Sequence, residues 1–309
     1  MRARAVTAGI VACGAVLAGT LAWWGYRNGM LGGSEASLLQ RLPTQDAAVL
    51  SVDFAELRHS GLLQKMASGP TAQEPEYAAF VRDSGLNYQT DLDYALVAFA
   101  TDGTFLLVRG RFDWAKLENY ARARGGTCSN GLCRMTGSQP DRRISYLPLN
   151  RHLMALAVSR DDVAATRLQH SGPQRLVEAP RDPVWLNIPA AAWKRGAGLP
   201  AGTQLFLSGI SGADQVLVSV GPSGQELEAR LSVDCHSPQE ATALAVQLQQ
   251  AATTLRDLLA GKAGGKPGAT PPDDLGMLLT AGVFAQNGNK VTGRWPLRKA
   301  FLDSLIAGI

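Results

Sequence analysis

Residues 93–113, DYALVAFATDGTFLLVRGRFD, recur without a gap 121 residues later as residues 214–234, DQVLVSVGPSGQELEARLSVD. Both copies hold two alternating apolar runs separated by a turn, Asp102-Gly103 in the first and Ser223-Gly224 in the second. The Gly in each supplies the positive φ that a two-residue hairpin requires. Counting back from these turns pairs Phe99 with Leu106 and Val97 with Val108, and in the second copy Val220 with Leu227 and Val218 with Ala229. Those faces are apolar in both copies and suit a cover of helices. The opposite faces differ. In the second copy that face carries Gln215, Ser219, Glu226, Glu228, Arg230 and Ser232, with Leu217 alone apolar, a set that suits water. In the first it carries Tyr94, Leu96, Ala98, Phe105 and Leu107. Tyr94, Leu96, Phe105 and Leu107 are therefore a candidate protein interface, either met by a partner or covered by residues 70–88 or by the other half of the chain.

Similar elements surround each copy. The first is preceded by a strand over 47–54 and helical stretches over 55–66 and 76–84, and followed by a helix over 113–124 with Asp113 as its cap. A Cys-bearing hairpin, strands at 144–147 and 153–158 and a helix over 161–170 complete that half. The second half has a strand at 184–188, a short piece at 190–195, the hairpin, and a long helix. Ser237-Pro238-Gln239-Glu240 places a cap, a first-turn Pro and a capping-box Glu in register at the start of this helix. Ala241, Leu244, Leu248, Ala251, Leu255 and Leu258 form its apolar stripe. Residues 261–274 are a low-complexity loop, a last hairpin turns at Asn287-Gly288, and a helix over 297–306 closes the chain. Each half reads strand, helix, strand, strand, helix, strand. The expected fold class is α+β, with two tandem ferredoxin-like (split β-α-β) antiparallel-sheet domains at 41–172 and 173–309, after one amino-terminal transmembrane helix.

Residues 5–24 contain no charge, about the length a helix needs to cross the hydrocarbon core, and Arg2 and Arg4 precede them. Trp23, Trp24 and Tyr26 suit the far interface. The reading is a signal-anchor over 1–27 and a tether over 28–40, with the rest extracytoplasmic. A signal peptide cleaved near Thr20-Leu21-Ala22 competes with it, and Ile10-Val11-Ala12-Cys13 is a weak match to a lipoprotein box. The formal charge is +4, and setting aside Arg2 and Arg4 leaves 28 Lys and Arg against 26 Asp and Glu, too balanced to attract nucleic acid. Cys128 and Cys133 flank Asn130-Gly131, the strongest short hairpin turn. They fall opposite each other as a non-hydrogen-bonded pair within disulfide range. A bridge there fits an oxidising compartment; free thiols or half a metal site are the alternatives.

No motif for catalysis, a metal or a cofactor stands out. The four histidines are scattered, and the neighbours Cys235 and His236 point to opposite faces of a strand. Residues 261–267 are one residue short of a phosphate loop and put Pro where Ser or Thr belongs. Asp91 with Asp93 reads as a solvated turn, and Arg142-Arg143 with Arg151 as a solvated rim, with contact to anionic lipid head groups as the competing reading. The plan of an anchor followed by two halves, the first beginning near Leu42-Pro43 with Ala47-Ala48-Val49-Leu50-Ser51-Val52-Asp53, resembles bacterial envelope proteins of uncharacterised families. That resemblance implies a single-pass inner-membrane protein with periplasmic domains, and no activity. The expected role is a binding or scaffolding module with a protein partner and no cofactor. A subunit of an envelope assembly of the secretion or pilus platform type, and a hydrolase with a dispersed active site, are the alternatives.

Overall fold

The computed structural model describes residues 35–66, 75–137, 141–171, 179–194, 212–224, 226–262 and 282–297. The anchor, most of the tether and the closing helix lie outside the described residues, among which no helix is long and apolar enough to cross a membrane. The strands are β1 (Ala48–Asp53), β2 (Leu92–Ala100), β3 (Gly103–Gly110), β4 (Thr127–Ser129), β5 (Leu132–Thr136) and β6 (Arg143–Asn150). They continue with β7 (Leu153–Ser159), β8 (Val184–Pro189), β9 (Ala213–Ser223), β10 (Glu226–Cys235), β11 (Val283–Asn287) and β12 (Lys290–Leu297). All twelve form one antiparallel sheet in the order β11-β12-β10-β9-β8-β1-β2-β3-β7-β6-β5-β4.

This overturns the expectation of two ferredoxin-like domains. A split β-α-β unit needs a helix that carries the chain back along the sheet, so that its flanking strands can run parallel. The helices that leave β1 are α2 (Phe54–His59) and α3 (Leu62–Met66), after a first helix α1 (Glu35–Leu39) that precedes the sheet. A six-residue helix rises about 9 Å, against about 20 Å for a six-residue strand. The chain therefore stays at one end of the sheet through α4 (Pro75–Ser84) and α5 (Tyr88–Asp91), and β2 returns antiparallel beside β1, with Asp53 opposite Tyr94. β8 and β9 pair likewise, with Trp185 opposite Ser219, and β1 and β8 then join edge to edge.

The duplication itself is visible in the topology. Read outward from the β1–β8 pair, β1-β2-β3-β7-β6 on one side matches β8-β9-β10-β12-β11 on the other, and β4–β5 is an added hairpin. Leu50 faces Leu186 at the centre, with Val49 opposite Asn187 and Ser51 opposite Trp185. The hairpin registers differ from the counted ones by two residues: Phe99 pairs with Thr104 and Val97 with Leu106, while Val220 pairs with Ala229 and Ser223 with Glu226. A shift of two leaves every side chain on its expected face. It also means that the repeat does not match pair for pair. Leu96 faces Leu107 and Leu217 faces Ser232, so the first strands correspond at 121 residues and the second at 125.

On the back face, α6 (Trp114–Ala123) buries Leu117 and Ala121 against Ala95, Val108, Tyr146 and Met154. Asp113 caps it, accepting from the Lys116 amide, as the sequence indicates. The long helix α8 (Pro238–Lys262) follows the short α7 (Ala190–Lys194) in the second half and sets Ala241 and Leu244 on Val216, Leu231, Val233 and Val291. Leu57, Leu62 and Leu63 of α2 and α3 fill the middle.

On the front face, Leu96, Phe105 and Leu107 are fully buried and Tyr94 half-buried. The cover takes nothing from residues 75–88 and only Trp185 and Leu217 from the other half. It is α1 with Leu38, Leu39 and the following Leu42, together with a 3-10 helix (Ala164–Gln169) that contributes Ala164, Ala165 and Leu168. The 3-10 helix is held by the Ala165 amide donating to Ser145 Oγ at 3.1 Å, and the Arg167 guanidinium lies 4.6 Å from the Phe105 ring centroid. The candidate interface is thus core, and Glu35–Leu39, read as tether, is part of its roof. The equivalent face of the second half carries Ser219, Arg230, Ser232, Thr292 and Arg294.

Cys128 and Cys133 are opposite one another and joined by a 2.02 Å disulfide bond. Asn130 (φ 51°) and Gly131 (φ 79°) make the turn between them. Because the closed loop is short and the turn already orders it, replacing both Cys by Ser is expected to lower stability by only about 1 kcal/mol. Urea unfolding of oxidised wild type and the double variant checks this.

Candidate functional site

The two central strands place polar side chains where hydrophobic ones would be expected. Ser51 is 1% exposed in mid-β1, and it lies beside Trp185, which is equally buried. Ser51 Oγ donates to Tyr94 Oη at 2.8 Å, and Trp185 Nε1 donates to Glu35 Oε1 at 3.2 Å. Burial first, and then its hydrogen bond to the Glu35 carboxylate, raise the pKa of the Tyr94 phenol well above its ordinary value, so it stays protonated. Glu35 thereby pins α1 to both halves of the sheet at the line where they join.

A cleft of about 250 Å³ opens there. Its charged lining is Glu35, Asp53, Glu56 and Asp182 with Arg181, its aromatic lining is Tyr94 and Trp185, and Pro180, Pro183 and Pro222 shape its far side. A second cleft of about 250 Å³ shares Pro180 and Asp182 with it and continues over Leu217, Ser219, Arg230, Ser232, Thr292 and Arg294. The two form a groove across the front face, from the edge of the α1 roof to β12, its first part evenly polar and apolar and its second part largely apolar at the surface.

The divider between the clefts is an ion-pair network. Asp182 Oδ1 accepts from Arg230 Nη1 at 2.6 Å and Oδ2 from Ser219 Oγ at 2.5 Å. Arg230 also donates to Glu228 Oε1 at 2.8 Å and to the Pro222 carbonyl at 3.0 Å. Burial works against the charged guanidinium, but the bonds and charges of Asp182, and then of Glu228, outweigh it and raise the Arg230 pKa. Gly221 lies beneath, and a Cβ there would run into Asp182 Oδ1 and displace that carboxylate.

This arrangement orients and holds. Ser51 is committed to Tyr94, and the histidines lie elsewhere. His59 ends α2, His152 Nδ1 sits 3.3 Å from the Gly110 carbonyl, His170 follows the 3-10 helix, and His236 Nδ1 meets Asp214 Oδ1 at 2.5 Å. Burial pushes the Cys235 thiol upward, and His236 is engaged with Asp214. Among the described residues no group of three His, Cys, Asp or Glu is placed to hold a metal ion. Asp91 and Asp93 pair with Arg111 and Arg58, and Arg142-Arg143 are separated from Arg151 by the length of β6. The phosphate-loop-like stretch falls mostly outside the described residues.

Sequence reading placed Ser219, Arg230 and Ser232 on one face but did not assemble the groove, whose residues come from seven separated segments. The one available signal was a polar residue in the middle of each central strand, Ser51 in VLSVD and Asn187 in WLNIP.

The fold and groove define an antiparallel-sheet protein built by duplication, with a groove at its midline. No protein-family model matches the chain, and no curated protein matches its sequence. Among solved structures it is similar to TP0453 in crystal form I, with a TM-score of 0.50 and 12% identity over 89% of this chain and 98% of that one. Crystal form III of TP0453 gives 0.48 and 10% identity over 90% of this chain and 100% of that one. At this identity the likeness to form I speaks to the fold alone.

Proposed function

We propose that the chain is a membrane-anchored extracytoplasmic protein that works by binding or scaffolding, with the midline groove as its ligand-facing site. The observation that carries the reading is the groove. Its polar groups are fixed by one another on rigid central strands, which suits recognition. The Cys128–Cys133 bridge supports an oxidising compartment, and the uncharged run at 5–24 behind Arg2 and Arg4 supports a single-pass anchor in a bacterial inner membrane.

Full-length protein is expected to remain with membranes after a high-salt wash, and residues 28–309 are expected to be released as a soluble protein. A soluble full-length product removes the anchor. For the binding role, the full chain in detergent serves as bait in native envelope extract, beside a Glu56→Lys, Arg181→Glu double variant of the exposed cleft mouth. Capture of the same partner by both baits removes the groove from the reading.

A further inference from the structure

The two edges of the sheet are built differently. β4 is three residues long and disulfide-bonded to β5, features that guard an edge. β11, at the other edge, has the sequence Val-Phe-Ala-Gln-Asn, without charge, Pro or bulge, and Val283 is 68% exposed. The helix that packs over β11 is α8. Residues 241–255 of α8 contain no charge, so neither flank of the helix carries one there, and its outward positions include Thr242, Val246, Gln249, Gln250 and Thr253.

We propose that this edge is an isologous interface with a second copy of the chain, β11 pairing antiparallel with β11 of the other copy about a two-fold axis at Ala285. The register follows from the hairpin. Asn287 and Lys290 close the β11–β12 turn, so Asn287, Ala285 and Val283 are the residues hydrogen-bonded toward β12, and the amides and carbonyls of Phe284 and Gln286 point outward. An axis at Ala285 makes Phe284 and Gln286 partners in both directions, joining four amides to four carbonyls that have no ladder partner among the described residues. It also places Ala285 opposite its own copy as the closer, non-hydrogen-bonded pair.

A two-fold axis sets each residue near its counterpart, so any charge close to the axis would face a like charge. The absence of charge from β11 and from this length of α8 is what a second copy requires. A two-fold normal to the sheet keeps both α8 helices on the back face, side by side. Two five-residue strands alone do not reach the roughly 800 Å² per partner of a stable interface. The uncharged length of α8, residues 241–255 and about 22 Å long, supplies the remainder. The same mode of assembly already joins the two halves within the chain, where β1 and β8 pair antiparallel about Leu50 and Leu186.

The test uses the full chain in detergent, with Cys13→Ser to remove the anchor thiol. Light scattering is expected to give a dimer. Ala285→Cys is expected to form a covalent dimer on oxidation with copper phenanthroline and air, whereas the exposed control Val163→Cys is not. Ala285→Lys, at an exposed position, is expected to raise the dissociation constant by at least about tenfold with an unchanged melting temperature. A chain that is monomeric at every concentration overturns the proposal. A dimer that neither cross-links through position 285 nor responds to Ala285→Lys also overturns it.

Discussion

Leu107→Glu is expected to lower the stability of the protein by about 3–5 kcal/mol, the range for an uncompensated charge placed in a core. Leu107 has no exposed surface and packs with Leu96, Phe105 and Ala155 under Leu38, Leu39, Leu42 and Leu168. A carboxylate there would be forced to take up a proton or to lift α1 and the 3-10 helix from the sheet. The corresponding site in the second half is Ser232, half-exposed on the polar face. Ser232→Glu is therefore the control, expected within about 0.5 kcal/mol of wild type. Urea midpoints of the three proteins measure the contrast. Equal stability would mean that the front face of the first half is open, and would return Leu107 and its neighbours to the surface.

That contrast marks where the sequence was legible. Alternation along the two hairpin copies assigned every side chain to its face, because a register error of two residues preserves facing. Asn130-Gly131 placed Cys128 opposite Cys133, and the caps Asp113 and Ser237 located α6 and α8, since each signal is complete within a few residues. What decides whether an apolar face is a surface or a core lies elsewhere in the chain. Leu38 and Leu39 were read with a tether and Leu42 with the start of the first half, because three leucines in five residues have no periodicity long enough to announce a helix. The joining of the two halves into one sheet was hidden for a related reason. β1 and β8 each look like complete strands, and nothing within VLSVD or WLNIP says which neighbour will take the second edge. The groove is a product of that junction, so it was invisible for as long as two separate domains were expected.

Gly221→Ala tests the divider of the groove, with an expected loss of about 2–3 kcal/mol. The new Cβ would occupy the place of Asp182 Oδ1, and the carboxylate would have to leave both Arg230 and Ser219. Breaking a buried pair from one side costs about 3–5 kcal/mol. The expected cost here is smaller because the Arg230 side chain keeps 32% of its surface in water and retains Glu228. Asp182→Ala alone should lose a similar amount, for it abandons the same guanidinium. The two effects share one cause, so they should not add. The Gly221→Ala, Asp182→Ala double variant should be no less stable than the poorer single variant, a coupling of about 2 kcal/mol that thermal or urea unfolding resolves. Full additivity would show that Gly221 acts through its backbone freedom, and that the contact with Asp182 does not position residues 180–183 over the groove.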